Sequence, residues 1–366
     1  MHYVIGLCLL LLGPLTLADY RLETVADNLA HPRSIAFLPD GSYLVAERDG
    51  ALRRLSADGT LGEPLENSPA TFADSQSGYF DVMLDPDFSN NNTLYVSLTH
   101  GNKSANATRV VRAQLQKNRL TAVESIFTAT PTKDTTAHNG GRMLTLPDGT
   151  LLLTTGDGFD YREAAQDTFS QLGKTIRINT DGSVPADNPF VDGMQGNAKV
   201  WSWGHRNPQG LAADPATDIV YLHEHGPRGG DELNRIEPGK NYGWPLTSYG
   251  INYSGAYVSP FQTLSNIEPP LTYWVPSIAP SGLAFYNGDA FPEWQGDLFV
   301  GGLVSRDVRR LDIVDGKVKT EEILFRELGE RIRDVRTGPD GFLYIITDSA
   351  AGKIIRVVPA TDSTTK

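Results

Sequence analysis

The chain has 366 residues, of which 40% are hydrophobic and 21% charged, an ordinary composition for a globular protein. Its 44 acidic residues outnumber 32 basic ones, and the net charge of −12 excludes a protein that grips nucleic acid with a basic face. With 36 Gly and 23 Pro, turns are frequent along the whole length.

The N-terminus reads MHYVIGLCLLLLGPLTLADY. An apolar run from Tyr3 to Leu12 is broken at Gly13-Pro14, and Ala18 offers a small residue for cleavage. Residues 1–18 are therefore expected to be a secretory signal peptide, too short to span a bilayer comfortably, which places the mature chain in the periplasm or outside the cell. The single cysteine, Cys8, lies inside this segment, so the mature chain needs no disulfide and uses no thiol chemistry.

One phrase then recurs six times: a short apolar stretch, a turn built on Pro-Asp-Gly, Asp-Pro or Asn-Gly, and a β-rich stretch. The copies are SIAFLPDGSYLVAE from Ser34, DVMLDPDFSNNNTLYVSL from Asp81, RMLTLPDGTLLLTTGD from Arg142, GLAADPATDIVYLHEHG from Gly210, GLAFYNGDAFPEWQGDLFVGG from Gly282 and DVRTGPDGFLYIITD from Asp334. Each reads as a β-hairpin, and no long window fits a helical period. Six hairpins followed by further short strands predict an all-β fold, a six-bladed propeller of four-stranded antiparallel blades, with a β-sandwich as the other arrangement of such strands. No linker or composition break divides residues 19–366, which are expected to form one domain. The spacing of the copies predicts loop insertions over 155–199 and 223–281, where a site is usually built.

Several polar segments could carry chemistry. His138, in TTAHNGGR, is flanked by glycines and could face a cleft as a neutral base. Arg206 and Asn207, in GHRNPQG, could grip an anionic or polyoxygenated ligand. Gly226-Pro227 precede Asp231-Glu232, with Tyr242 ten residues after Glu232, and glycine-loop carbonyls mixed with carboxylates suit Ca²⁺, although no EF-hand spacing is present. The triplet His223-Glu224-His225 lacks an obvious third zinc ligand. Arg331 and Arg333, two apart and before Arg336, fall on one side of an extended strand and point to an anionic cofactor with several carboxylates.

In this order, HNGGR, GHRNPQG, HGPRGGDELN, NYGWP, GINYSG and RIRDVRTGPDG resemble the soluble glucose/sorbosone dehydrogenases that depend on pyrroloquinoline quinone (PQQ), over about Leu22 to Val358. The resemblance implies a catalytic base at His138 and an aspartate near the sugar at Asp157. It implies PQQ contacts at Gln76, Arg206, Asn207, Arg331 and Arg333, a hydroxyl facing the cofactor at Ser277, and a further contact at Tyr253. It also implies carbonyl ligands to a PQQ-bound Ca²⁺ at Gly226 and Pro227, and a second, structural Ca²⁺ site at Glu232 and Tyr242. The chain departs from the family at Ala137, where some relatives have aspartate, and at Val304, where many have lysine; Arg306 is the cation expected to replace that lysine.

The activity so implied is oxidation of an aldose at C1. His138 takes the hydroxyl proton, PQQ takes the hydride, and Ca²⁺ and Arg206 stabilise the developing negative charge. A lactone leaves, and an external electron acceptor reoxidises the cofactor. A metal-dependent lactonase and a non-catalytic binding propeller are the competing readings. Neither accounts for His138 together with Arg206, Arg331 and Arg333.

Overall fold

Every one of the six turn phrases folds as a hairpin, and the turn chemistry explains why. In the Pro-Asp-Gly copies the aspartate carboxylate accepts a hydrogen bond from the backbone N–H two residues on. Ser42 donates to Asp40 at 3.1 Å, Thr150 to Asp148 at 2.9 Å and Phe342 to Asp340 at 3.3 Å. The glycine that follows takes a positive φ of 82°, 81° and 79° in the three turns, a conformation that costs other residues energy.

The computed structural model describes residues 20–360. Their strands form six four-stranded antiparallel sheets. The innermost strands are Pro32–Phe37, Tyr79–Leu84, Gly140–Thr145, Pro208–Ala213, Pro280–Phe285 and Ile332–Thr337, numbered here as blades 1 to 6. Each packs against its neighbour and the first against the last, so the six ring an axis. The architecture is the expected six-bladed β-propeller. The segments 155–199 and 223–281 are not loop alone. The first carries the blade strand Lys174–Ile178, the second the strands Asp231–Ile236 and Thr272–Trp274. Long connections remain over 156–173, 179–199 and 237–271, the last holding NYGWP and GINYSG. No helix among the described residues is long and apolar enough to cross a membrane. Residues 1–18, expected to be a signal peptide, lie outside the described residues.

The ring closes by a strand exchange in sequence. Tyr20–Leu29 pairs with Gly352–Pro359 and completes blade 6, whose other strands come from the opposite end of the chain. This joins strands from opposite ends of the chain in one sheet, with Tyr20–Leu29 as its outer strand. Apolar clusters fill the spaces between successive blades, as where Leu29, Ile35, Val45, Tyr344 and Ile346 pack between blades 6 and 1.

One irregularity repeats in all six blades. Close to its start, the innermost strand holds one residue more than the strand it pairs with. Pro32 faces Glu47 and Ser34 faces Ala46, which leaves Arg33 as the extra residue. The same shift leaves out Phe80, Gln209 and Arg333 in blades 2, 4 and 6, and falls within Gly140–Met143 and Pro280–Leu283 in blades 3 and 5. Such a bulge turns a side chain off the regular alternation, and here it turns side chains toward the axis.

Leu29 is fully buried on the closing strand. Leu29→Ala is expected to lower stability by about 2–5 kcal/mol, seen as a lower midpoint in chemical denaturation with the fold retained at low denaturant.

Candidate active site

Where the bulged strand starts converge, they leave a cavity of about 390 Å³. Its wall includes the bulge residues Arg33, Phe80, Gln209 and Arg333, with Arg48, Arg331, Gln76, Asn139, Asn207, His225 and Asp348. Four guanidiniums thus surround one space, and Asp348 is the single carboxylate among the lining residues. Arg333 donates to Asp348 at 2.7 Å, and two nitrogens of Arg331 lie 3.3 Å from the same oxygen. The Arg333 side chain lowers the Asp348 carboxyl, against the opposing effect of burial, to about 2. Arg33 is pushed far down by burial and by the neighbouring charge of Arg333, and Arg333 is itself lowered by burial. The Nε atoms of Arg33, Arg206 and Arg333 and the Oδ1 of Asn139 are buried without any hydrogen-bond partner among the described residues. Buried polar atoms of this kind are rare unless a ligand or water completes them.

His138 is not among the residues lining this cavity, but it touches one of them and also touches Phe159, which lines a second, smaller outer groove. Its backbone N–H donates to the Gln76 side chain of the cavity at 3.0 Å, and its ring meets Phe159 of the groove edge-on with centroids 5.0 Å apart. The residue takes a positive φ of 50°. Gly156 permits this path, because a Cβ there would stand 2.2 Å from the His138 carbonyl oxygen. The imidazole Nδ1 lies 2.6 Å from Asp157 Oδ1. Asp157 is fully buried and also accepts from Phe159 N–H at 2.8 Å and from Trp244 Nε1–H at 2.7 Å. A carboxylate so placed fixes the proton on Nδ1 and leaves the Nε2 lone pair free; Nε2 has no partner among the described residues. Burial pulls the imidazole below the ordinary histidine value, the bond to Asp157 opposes this, and Arg206 and Lys133 reinforce it. Asp157 therefore orients His138 and has no carboxylate oxygen left open.

Arg206 adjoins this dyad, its backbone carbonyl accepting from the Asp157 N–H at 2.8 Å. Its Nη1 donates to the carbonyls of His225 (3.1 Å) and Gly226 (2.7 Å), and its guanidinium lies over Trp244 at 5.2 Å. The outer groove, about 250 Å³, is lined by Phe159, Asp160, Arg162, Arg206, Pro227, Trp244, Asn252 and Tyr253. Tyr253 is 63% exposed there, outside the main cavity.

Gly226, Pro227, Glu232 and Tyr242, expected to serve two ions, line one small cavity of about 10 Å³, room for a single water-sized sphere. Gly226 must be glycine, since a Cβ would fall 2.3 Å from the Gly229 and Gly230 carbonyls. Glu232 stands opposite Glu224 in the strand pairing, and burial together with that second carboxylate pushes it well above the usual range. The Tyr242 hydroxyl is engaged, donating to Arg235 O and accepting from Glu237 N, which leaves its backbone carbonyl as the available ligand. No cluster of three or more His, Cys, Asp or Glu suited to a metal occurs among the described residues.

Four expected cofactor contacts do not line the main cavity: Arg206 and Tyr253 line the outer groove, and Ser277 and Arg306 line neither. The Ser277 hydroxyl donates to Asp231 Oδ2 at 2.6 Å, and Asp231 also accepts from the backbone of Gly226, Ile278 and Ala279. Ser277 thus helps clamp the Gly226 loop to the segment bearing Ala279, which does line the cavity. Arg306 turns its guanidinium to the Gly329 carbonyl at 3.3 Å and does not line the cavity, whereas Val304 does. Two further cations that no motif singled out, Arg33 and Arg48, line the cavity. A signal was available, because Arg33 stands seven residues before Asp40 and Arg333 seven before Asp340. Aligning the repeats on their turns marks both as the same position.

The profile of the family described as "Glucose / Sorbosone dehydrogenase" matches residues 29–356. The chain belongs to this family. It is 40% identical over 348 residues to a protein named aldose sugar dehydrogenase YliI from Escherichia coli, covering 93% of this chain and 94% of that one. The crystal structure of the soluble aldose sugar dehydrogenase from E. coli in its apo form superposes with a TM-score of 0.90 at 40% identity, covering 93% and 100% of the two chains. The PQQ-bound aldose sugar dehydrogenase of Streptomyces coelicolor gives 0.77 at 27% identity, with 93% and 99% covered.

His138 is expected to titrate below the ordinary histidine value near 6.5 in a pH series followed by NMR of the imidazole. In Asp157→Asn the bond that favours the charged ring is lost, so the titration should move lower still; an upward move would contradict the assigned geometry.

Proposed function

We propose that this protein is a PQQ- and Ca²⁺-dependent dehydrogenase that oxidises aldose sugars at C1 and releases the lactone. The observation that carries this reading is the cavity itself: four guanidiniums around one carboxylate, with buried Nε atoms on Arg33 and Arg333 left without partners. PQQ is a flat quinone bearing three carboxylates, and its charge and donor demands match that wall. Family membership and the PQQ-bound relative support the same cofactor.

In this reading Arg33, Arg48, Arg331 and Arg333 hold the cofactor carboxylates through charge-assisted bonds. Gln76, Asn207 and Asn139 supply amide contacts. When bound, PQQ supplies the electrophile that accepts the C1 hydride, and an external acceptor later removes the two electrons. His138 Nε2 takes the C1 hydroxyl proton, and Asp157 keeps the ring in the tautomer that can do so. Arg206 faces the charge that develops. Gly226 and Pro227 are the carbonyls for Ca²⁺, with Gly226 shared with Arg206. Glu232 and the Tyr242 carbonyl complete a cation site beside the paired carboxylates. Tyr253 and Phe159 form the outer wall that a sugar passes. A lactonase would leave the arginine cluster without a ligand. The mature chain, residues 19–366, acts outside the cytoplasm after removal of residues 1–18, which N-terminal sequencing of the native protein checks.

Reconstitution tests the whole reading: apoprotein, PQQ and CaCl₂ are combined and dye reduction is followed with a set of aldoses. Reduction that needs both additions is expected, and its absence with every aldose overturns the proposal. His138→Gln should retain PQQ binding and lose at least about 10²-fold in turnover. Arg333→Ala should instead weaken PQQ binding by roughly 1.5–3 kcal/mol, read by titration. With a neutral base required, kcat/KM should fall on the acid side only below about pH 6.5, because burial lowers the imidazole.

A further inference from the structure

The arginine that ends the HNGGR motif is not in the cavity wall. Arg142 is buried at 5% exposure on the innermost strand of blade 3. Its Nε donates to the backbone carbonyl of Gln209 at 3.0 Å, and its Nη2 to the backbone carbonyl of Arg333 at 3.1 Å. Gln209 and Arg333 are the bulge residues of blades 4 and 6, and both side chains line the cavity. Blades 3 and 6 face one another across a six-membered ring, so this one side chain crosses the axis. Its Nη1 lies 3.2 Å from Asp334 and 3.8 Å from Asp81. Arg336 completes the layer with bonds to Asp81 at 2.6 Å and Asp334 at 2.8 Å. Two guanidiniums face two carboxylates, so the layer is balanced in charge and adds no net cation to the cavity beside it.

A bulge lacks part of the ladder that fixes a regular strand, and its carbonyl direction is correspondingly less determined. We infer that Arg142 is a positioning residue for cofactor binding: it fixes the bulge carbonyl of Gln209 and, together with the Ser281 hydroxyl at 2.7 Å, that of Arg333, and thereby aims their side chains into the cavity. This rests on the reading of that cavity as the PQQ site. Only a planar fork with several fixed donors reaches two carbonyls from different blades while its third nitrogen stays within ion-pair distance of Asp334; lysine keeps the charge and loses the fork.

PQQ affinity is measured by calorimetric titration of apoprotein for wild type, Arg142→Lys, Arg333→Ala and the double variant, with thermal melting of each. Arg142→Lys is expected to bind PQQ roughly 10-fold more weakly than wild type, and to add less than about 2-fold in the Arg333→Ala background, the non-additivity of residues acting as one unit. His138-dependent turnover at saturating PQQ, and the KM for sugar, should stay near wild type. Unchanged PQQ affinity in Arg142→Lys, or an equal loss in both backgrounds, overturns the inference; a lower melting temperature alone would mark a purely structural role and overturns it too. Should Arg142→Lys not fold, the pair Arg142→Gln with Asp334→Asn removes one charge of each sign from the layer and is read by the same titration. Wild type that fails to bind PQQ at all overturns the function reading, a result distinct from these.

Discussion

Four guanidiniums around one cavity repel one another, and Asp348 is the only carboxylate among the cavity's lining residues. Burial of like charges is costly, and the cost falls on Arg33 and Arg333, whose charged forms are disfavoured by their surroundings. Asp348 takes bonds from Arg331 and Arg333 and stays ionised far below the usual carboxylate range, yet it offsets only part of the charge. The cavity at the axis therefore holds more guanidiniums than carboxylates, an electrostatic demand on the fold. Such a demand is tolerated because the rest of the fold over-determines it: twenty-four strands in six sheets, with the first strand locking the last blade, leave these side chains little room to retreat.

The bulges translate a regular scaffold into that wall. A propeller with perfect alternation would direct the residues of each innermost strand alternately into the two inter-blade spaces. One extra residue per strand breaks the alternation at its start and frees a side chain for the axis. One step further along the strands, Asp81, Arg142, Asp334 and Arg336 form a charged layer that is balanced within itself. An unbalanced layer of cations thus rests on a balanced layer of mutual partners.

The site is also divided across the axis. Cations come from blades 1 and 6, through Arg33, Arg48, Arg331 and Arg333. The dyad of His138 and Asp157 flanks the inner hairpin of blade 3, and the carbonyl-rich loop at Gly226 follows a strand of blade 4. The charges that favour neutral imidazole at His138 are those of Arg206 and Lys133, beside burial, and not those of the cavity arginines. Asp231 welds the carbonyl loop to the Ala279 segment with four hydrogen bonds, so the loop is held by protein contacts.

Local chemistry in the sequence determined the blades. Each Pro-Asp-Gly turn needs only its own aspartate and glycine, and each strand only its own apolar run, so six phrases gave six hairpins and the propeller. The same locality marked His138, Arg206, Arg331 and Arg333, because their motifs are contiguous and polar where a core would be apolar. Tertiary structure decided what distance along the chain conceals. That Asp157 orients His138, that Trp244 holds Asp157, and that Ser277 serves Asp231 are pairings across 19, 87 and 46 residues. Charge and nearness to Val304 point to Arg306, but a positive φ of 55° and the Gly329 carbonyl direct it away. Arg33 sits in a run that alternation alone would assign to a blade face, and only the bulge turns it to the axis, since a one-residue insertion moves a side chain from one face of a strand to the other.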